Sequence, residues 1–155
     1  GAKEADAAVE NTAEVTQETT EQVQDTVEQM TEDNKKELDN KKYVVDHLLS
    51  TKREGMEDLI DYMEQIGFFE APCSGGNHLA CQFGLVHHSR NVMMAAENIG
   101  YALLGKVKYA EIRDSVIIAA ALHDLGKCGD FGKQMYVPNM IKDGQTHQGR
   151  AGTEI

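Results

Sequence analysis

Apolar side chains recur at helical spacing in the middle of the chain and predict an all-α fold. The first predicted helix ends at Gly67, because glycine is the residue that most easily leaves a helix. Its apolar face consists of Met56, Leu59, Ile60, Met63 and Ile66. No segment shows the clean alternation of apolar and polar residues that a half-buried strand requires. The pattern therefore predicts helices and no strand.

Two further helices follow a loop rich in proline, serine and glycine. The second is predicted over residues 84–104 and ends at Gly105. The third is predicted over about residues 110–125, with Gly126 as the left-handed residue after its end. It is apolar nearly all round, so we expect it to be the most buried element. Its apolar residues are Ile112, Val116, Ile117, Ile118, Ala119, Ala120, Ala121 and Leu122.

The first 42 residues have a different pattern and are predicted to form an acidic tail and linker. Apolar or weakly polar residues recur there at alternating steps of four and three: Val9, Ala13, Thr16, Thr20, Val23, Val27 and Met30. About half of that stripe is Thr or Ala, which buries too little surface to offset the cost of ordering a chain. We interpret the tail as partly helical or disordered, with a coiled-coil surface as the alternative. Residues 31–42 are interpreted as a solvated linker.

This pattern divides the chain into three parts. Residues 1–42 form the tail and linker, residues 43–141 the globular part, and residues 142–155 an unstructured C-terminal segment without periodicity. The net charge of −11 is concentrated in the tail, where residues 1–40 hold 12 acidic residues and three lysines. Because no basic stripe is present anywhere, non-specific DNA binding is not expected.

The sequence contains no candidate for membrane insertion or for secretion. The longest apolar run, from Val116 to Leu122, is far shorter than the roughly 20 residues that span a bilayer. No apolar signal-peptide region follows the first residues. Three cysteines are an odd number at no disulfide-framework spacing, which favours a reduced, cytoplasmic protein.

The dipeptide His123-Asp124 at the end of the most apolar helix carries the candidate chemistry. An imidazole and a carboxylate that are partly buried need a partner, and together they suit a divalent metal ion. Successive side chains of a helix point about 100° apart, so the two can meet on one ion only at a helix end or across a cluster of ions. The alternative is a helix-terminal histidine stabilised by the helix dipole beside an exposed Asp124.

A second pair, His87-His88, lies near the start of the preceding helix. If the two helices are antiparallel, the start of one lies beside the end of the next. His88 and His123 would then be neighbours in space, which makes a shared site plausible. A purely structural role for both histidines remains the alternative.

Two segments resemble the motifs of the HD superfamily of metal-dependent phosphohydrolases. The first is Gly84-Leu85-Val86-His87-His88-Ser89-Arg90-Asn91-Val92, and the second is Leu122-His123-Asp124-Leu125-Gly126-Lys127. The register of the first motif gives His88, and not His87, the ligand position. The upstream segments Ala71-Pro72 and Asn77-His78 resemble the branch that contains 3′–5′ exoribonuclease-like HD proteins. The resemblance covers about residues 54–135.

The resemblance implies an HD-type all-helical fold and a site with one or two divalent ions: Mn, Fe, Zn, Mg or Ni. It implies that His88, His123 and Asp124 ligate metal and that Asp124 is catalytic. Lys127 would hold a substrate phosphate, or it complements the helix dipole as a structural alternative. His78 and His87 are candidates for lining the pocket.

The chain also departs from the HD pattern. HD proteins have a later aspartate ligand on a further helix, and the 31 residues after Asp124 carry no matching motif. We therefore expect an incomplete, truncated HD domain. A competing zinc site can be drawn from Cys73, His78, Cys81 and His87, but its spacing matches no common zinc finger.

Three functions follow from these observations. The first is a phosphohydrolase or phosphodiesterase that acts on a nucleotide or a nucleic-acid end. The second is an HD remnant that binds metal or nucleotide without turnover. The third is an interaction protein that works, and self-associates, through its acidic amphipathic tail.

Overall fold

Three α-helices make up most of the described chain, which confirms the all-α prediction. The structure, a computed structural model, describes the backbone of residues 2–76, 78–130, 133–140 and 146–150, and the side chains of residues 17–76, 78–130 and 133–135. The helices are α1 (Ala2–Ser50), α2 (Met56–Gln65) and α3 (Gly84–Leu122). Within this part of the chain, no helix combines the length and the apolar character needed to cross a membrane.

Helix α1 extends through the segment that was predicted to be a linker. Residues 31–42 are helical throughout and most of their side chains are exposed, so the segment is solvated but continues the helix. The segment has no glycine or proline, and its lysines and glutamates favour helix. The chain divides into two compact units within this helix, Gly1–Leu38 and Asp39–Ile155, so the boundary lies a few residues before the predicted one.

The core of the second unit lies between the end of α1, helix α2 and the start of α3. Its fully buried side chains include Val44, Leu48, Met63, Phe68 and Leu85. The predicted face of α2 is confirmed, because Met56, Met63 and Ile66 are buried and Leu59 and Ile60 pack against them. As predicted, Gly67 follows the end of this helix, with a φ of 77°.

Helix α3 reverses direction at Gly105, as the sequence predicted. Gly105 has φ 73° and ψ 165°, a conformation that is essentially restricted to glycine. It divides α3 into a first arm, residues 84–104, and a second arm, residues 106–122. The rings of Tyr101 and Tyr109 lie 4.7 Å apart across the turn, and a Cβ on Gly100 would meet the Tyr109 ring at 2.4 Å. The arms therefore pack closely beside the reversal.

Two details predicted for the third helix are wrong. It is not buried all round: Ile117, Ala120 and Ala121 are buried, but Ile112 is 43% exposed. The described elements cover only one face of the arm. The α-helix also ends at Leu122, and Gly126 lies inside a 3-10 turn, Leu125–Cys128. The positive φ, 75°, belongs to Gly129, where a Cβ would meet the Lys133 carbonyl oxygen at 2.1 Å.

Two short antiparallel strand pairs follow the 3-10 turn and were not predicted. Strand β1 (Gly129–Asp130) pairs with β2 (Lys133–Gln134), and β3 (Tyr136–Met140) pairs with β4 (Thr146–Arg150). The prediction of an unstructured segment is therefore wrong for β4, while residues 142–145 and 151–155 lie outside the described residues. Each strand is defined by backbone hydrogen bonds to its partner. Such bonds require no alternation of apolar side chains, so the sequence pattern gave no sign of these strands.

Candidate metal centre

The reversal at Gly105 brings His88 and His123 together. His88 lies in the second turn of the first arm, and His123 directly follows the second arm. Their Nε2 atoms are 3.1 Å apart although the residues are 35 positions apart in sequence. A straight helix would separate them by about 52 Å. The predicted proximity of these two residues is thus present in the structure.

Asp124 joins the histidines because the α-helix ends at Leu122, a few residues before the predicted stop at Gly126. Its backbone has φ −111° and ψ 14°, outside the helical range, and this turns the carboxylate toward His123. Oδ2 of Asp124 lies 3.2 Å from Nε2 of His123 and 3.3 Å from Nε2 of His88. Two adjacent residues therefore present their side chains to the same point.

The three donor atoms form a nearly equilateral triangle with sides of 3.1, 3.2 and 3.3 Å. Three ligands bound to one ion at about 2.1 Å are separated by about 3.0 Å in octahedral and about 3.4 Å in tetrahedral geometry. The triangle falls between these values. His88, His123 and Asp124 therefore have the geometry of one face of a metal coordination shell.

The hydrogen bond on the far side of His123 orients its ring for metal binding. Nδ1 of His123 lies 2.6 Å from the carbonyl oxygen of Ala120, and a carbonyl can only accept, so Nδ1 carries the proton. In the neutral ring, Nε2 then presents a lone pair toward the carboxylate oxygen of Asp124. Two lone pairs at this distance repel unless a cation or a proton lies between them. Metal-ligating histidines commonly have this arrangement.

His88 is kept neutral by its surroundings. Burial lowers the pKa of His88 below its ordinary value, and the neighbouring His123 lowers it further, while Asp124 opposes the shift. A neutral imidazole offers the lone pair that metal ligation needs. The ring is therefore in a suitable protonation state at neutral pH without an ion.

Lys127 places a positive charge against the carboxylate. Its Nζ lies 3.1 Å from Oδ2 of Asp124 and 3.9 Å from Sγ of Cys73. The 3-10 turn sets this position, because it brings residue 127 back over residue 124. Lys127 thus borders the three donor atoms, as the resemblance implies, and it contacts both Asp124 and Cys73.

The two remaining predicted pocket residues differ in position. The His78 ring packs edge-on against His88, with ring centroids 5.8 Å apart, and His78 is exposed. His87 is exposed as well, and none of the ring contacts found in the described part of the chain joins it to the site. His78 therefore borders the candidate centre, whereas His87 does not.

Cys73 is a member of the site that the sequence analysis missed. Sγ of Cys73, a ring nitrogen of His88 and a carboxylate oxygen of Asp124 all lie within 4.8 Å of one another, and this His/Cys/Asp group could hold a metal ion. The competing zinc arrangement groups Cys73 with Cys81, and Cys81 is exposed. Its only sequence signal is its position after Pro72 in the loop that precedes the first motif.

Comparison with known proteins does not place the chain in a family. No family of proteins, no curated protein and no solved structure matches it.

Proposed function

We propose that the chain is an HD-type, divalent-metal-dependent phosphohydrolase or phosphodiesterase. The observation that carries the proposal is the triangle of donor atoms from His88, His123 and Asp124, whose sides suit one ion. These are the residues that the HD resemblance assigns as ligands. The proposal thus rests on two independent arguments, one from motif register and one from interatomic distances.

Each residue has a defined part in this proposal. His88 and His123 hold the ion through neutral nitrogens, and Asp124 supplies the negative charge. When bound, such an ion offers Lewis acidity and offsets the charge on phosphoryl oxygens. Lys127 is positioned to exchange its contact with Asp124 for a phosphoryl oxygen of the substrate. His78 packs edge-on against His88 at the border of the centre.

The substrate class proposed is a nucleotide or another phosphorylated small molecule, or a nucleic-acid end. The acidic balance of the chain disfavours extended backbone binding to nucleic acid, because that needs clustered cations. We propose the cytoplasm as the location, since Cys73, Cys81 and Cys128 are all free thiols.

Substituting Asp124→Asn tests the hydrolase proposal. We expect the wild type to hydrolyse bis(p-nitrophenyl) phosphate when Mn²⁺ is added, and the variant to lose at least about a hundredfold in rate, because the amide removes the only anionic ligand of the triangle. The readout is release of p-nitrophenolate. Asp114→Asn is the matched control, since Asp114 pairs with Arg113 in the second arm and should leave the rate unchanged.

Metal binding without hydrolysis in the wild type would contradict the hydrolase proposal. That outcome would favour the alternative of an HD remnant that binds metal or nucleotide without turnover. Failure to bind metal at all would contradict both the hydrolase proposal and the metal-binding alternative.

A second candidate function is self-association through α1. Val23, Val27 and Met30 are each more than half exposed on one continuous helix, at steps of four and three residues. Such a stripe can pair with a second copy as a coiled coil. We expect sedimentation equilibrium to show a dimer that dissociates when Val27→Glu places a charge on the stripe. The matched control is Glu28→Gln, on the adjacent position, and a monomer at every wild-type concentration would contradict this candidate.

A further inference from the structure

We infer that Cys73 is a fourth ligand in the centre and that its thiolate makes the site selective for thiophilic ions. The inference rests on the metal centre proposed above. It adds a donor that the two sequence motifs do not contain. The resulting set is two imidazole nitrogens, one carboxylate oxygen and one thiolate sulfur, which is a donor set suited to Zn²⁺, Fe²⁺ or Co²⁺.

Sγ of Cys73 lies near two of the proposed ligands. It lies within 4.8 Å of donor atoms from both His88 and Asp124. Sulfur and nitrogen ligands on one tetrahedral zinc ion are about 3.6 Å apart, given bonds of about 2.3 and 2.0–2.1 Å. The upper limit of 4.8 Å exceeds this separation, so ligation requires Sγ to move closer to the other donors.

The loop that carries Cys73 is built against the start of α3. The backbone N–H of Cys73 donates to the carbonyl of Leu79 at 3.0 Å. The same carbonyl oxygen lies against Gly84, where a Cβ would meet it at 2.1 Å. Glycine at position 84 therefore permits the close approach that holds Cys73 beside the first arm. Without that approach, Cys73 would move away from His88.

Two residues of this loop have strained backbone conformations. Leu79 and Phe83 have φ values of 51° and 64°, a left-handed conformation that is rare outside glycine, asparagine and aspartate. Both are anchored by backbone bonds: the Leu79 carbonyl accepts from Cys73, and the Phe83 N–H donates to the carbonyl of Glu70. Strain of this kind persists only where the surrounding structure enforces it. These two backbone bonds tie the loop that carries Cys73 to its own end and to the residue before α3.

The charges around Cys73 also suit a bound thiolate. Nζ of Lys127 lies 3.9 Å from Sγ, and it is the cation that faces both the sulfur and Asp124. As the metal–sulfur bond forms, the proton of the Cys73 thiol would be released to solvent.

Co²⁺ is the probe that separates thiolate ligation from metal binding in general. On adding Co²⁺ to the metal-free protein, we expect a near-ultraviolet sulfur-to-cobalt charge-transfer band. Cys73→Ser should abolish that band and weaken Co²⁺ and Zn²⁺ binding by at least about tenfold, while Mn²⁺ affinity changes little because Mn²⁺ prefers oxygen ligands. Cys81→Ser, which alters an exposed thiol, should change neither.

Each other outcome overturns the inference in a recognisable way. Cobalt bound without the charge-transfer band would remove Cys73 as a ligand and leave the metal centre standing. A band that persists in Cys73→Ser would assign the sulfur to another cysteine. No cobalt binding would overturn the metal centre and this inference together.

Discussion

We expect His123→Ala to abolish metal binding by the protein. The wild type should hold a divalent ion in a stoichiometric amount, and the variant should hold close to none. The physical reason is that Nε2 of His123 forms two sides of the donor triangle, at 3.1 Å from His88 and 3.2 Å from Asp124. Even a supporting group behind a ligand is worth about 10–100-fold in metal affinity, so loss of a ligand itself should exceed that. Elemental analysis of dialysed protein measures the content.

His87→Ala is the matched control for this experiment. His87 lies one position from His88 in the same helix and is exposed, so removing its ring should leave the metal content unchanged. Equal loss of metal in both variants would indicate general damage to the first arm. Retention of metal in His123→Ala would contradict the assigned ligand set.

We expect Gly105→Ala to destabilise the protein by about 1–3 kcal/mol and to weaken the metal centre. At φ 73° and ψ 165°, Gly105 occupies a region that a Cβ makes costly. Relaxing that strain requires the two arms of α3 to move relative to each other, and the arms carry His88 and position His123. Urea unfolding measures the loss in free energy, and the metal affinity measures the displacement of the ligands.

Gly76→Ala is the control that isolates this backbone effect. A Cβ at Gly76 would have no atom within 4 Å, and its φ is not in the left-handed range. The same chemical change should therefore be nearly neutral there. If both variants unfold at the same urea concentration, the reversal at Gly105 does not depend on glycine.

The helical part of the fold could be predicted because its signals are local. The stripe of α2 and the glycines at positions 67 and 105 act through neighbouring residues, so the sequence is enough to place them. The sequence did not predict elements whose own apolar pattern is weak or whose hydrogen-bonding partner is distant along the chain. Residues 31–42 are helical without an apolar stripe, and β4 depends on backbone bonds to β3.

The residues of the candidate site also fall into a group that could be predicted from the sequence and one residue that could not. His88, His123 and Asp124 were found because their residue types stand at the ends of two helices whose connection has to reverse. The turn of the Asp124 carboxylate toward His123 agrees with the requirement that the helix end there. Cys73 could not be found, because it reaches the site through the contact of Leu79 with Gly84, and no periodicity or spacing reports such a contact.

The sequence by itself determined the helical class, the glycines at which α2 ends and α3 reverses, and the residues that can offer lone pairs to a metal ion. Those properties depend on side-chain chemistry and on neighbours within a few positions. Only the tertiary structure decided that Cys73 and His78 border the site while His87 does not. That distinction depends on which side chains converge after the chain reverses at Gly105 and the loop before α3 folds back, and convergence is set by packing between distant segments.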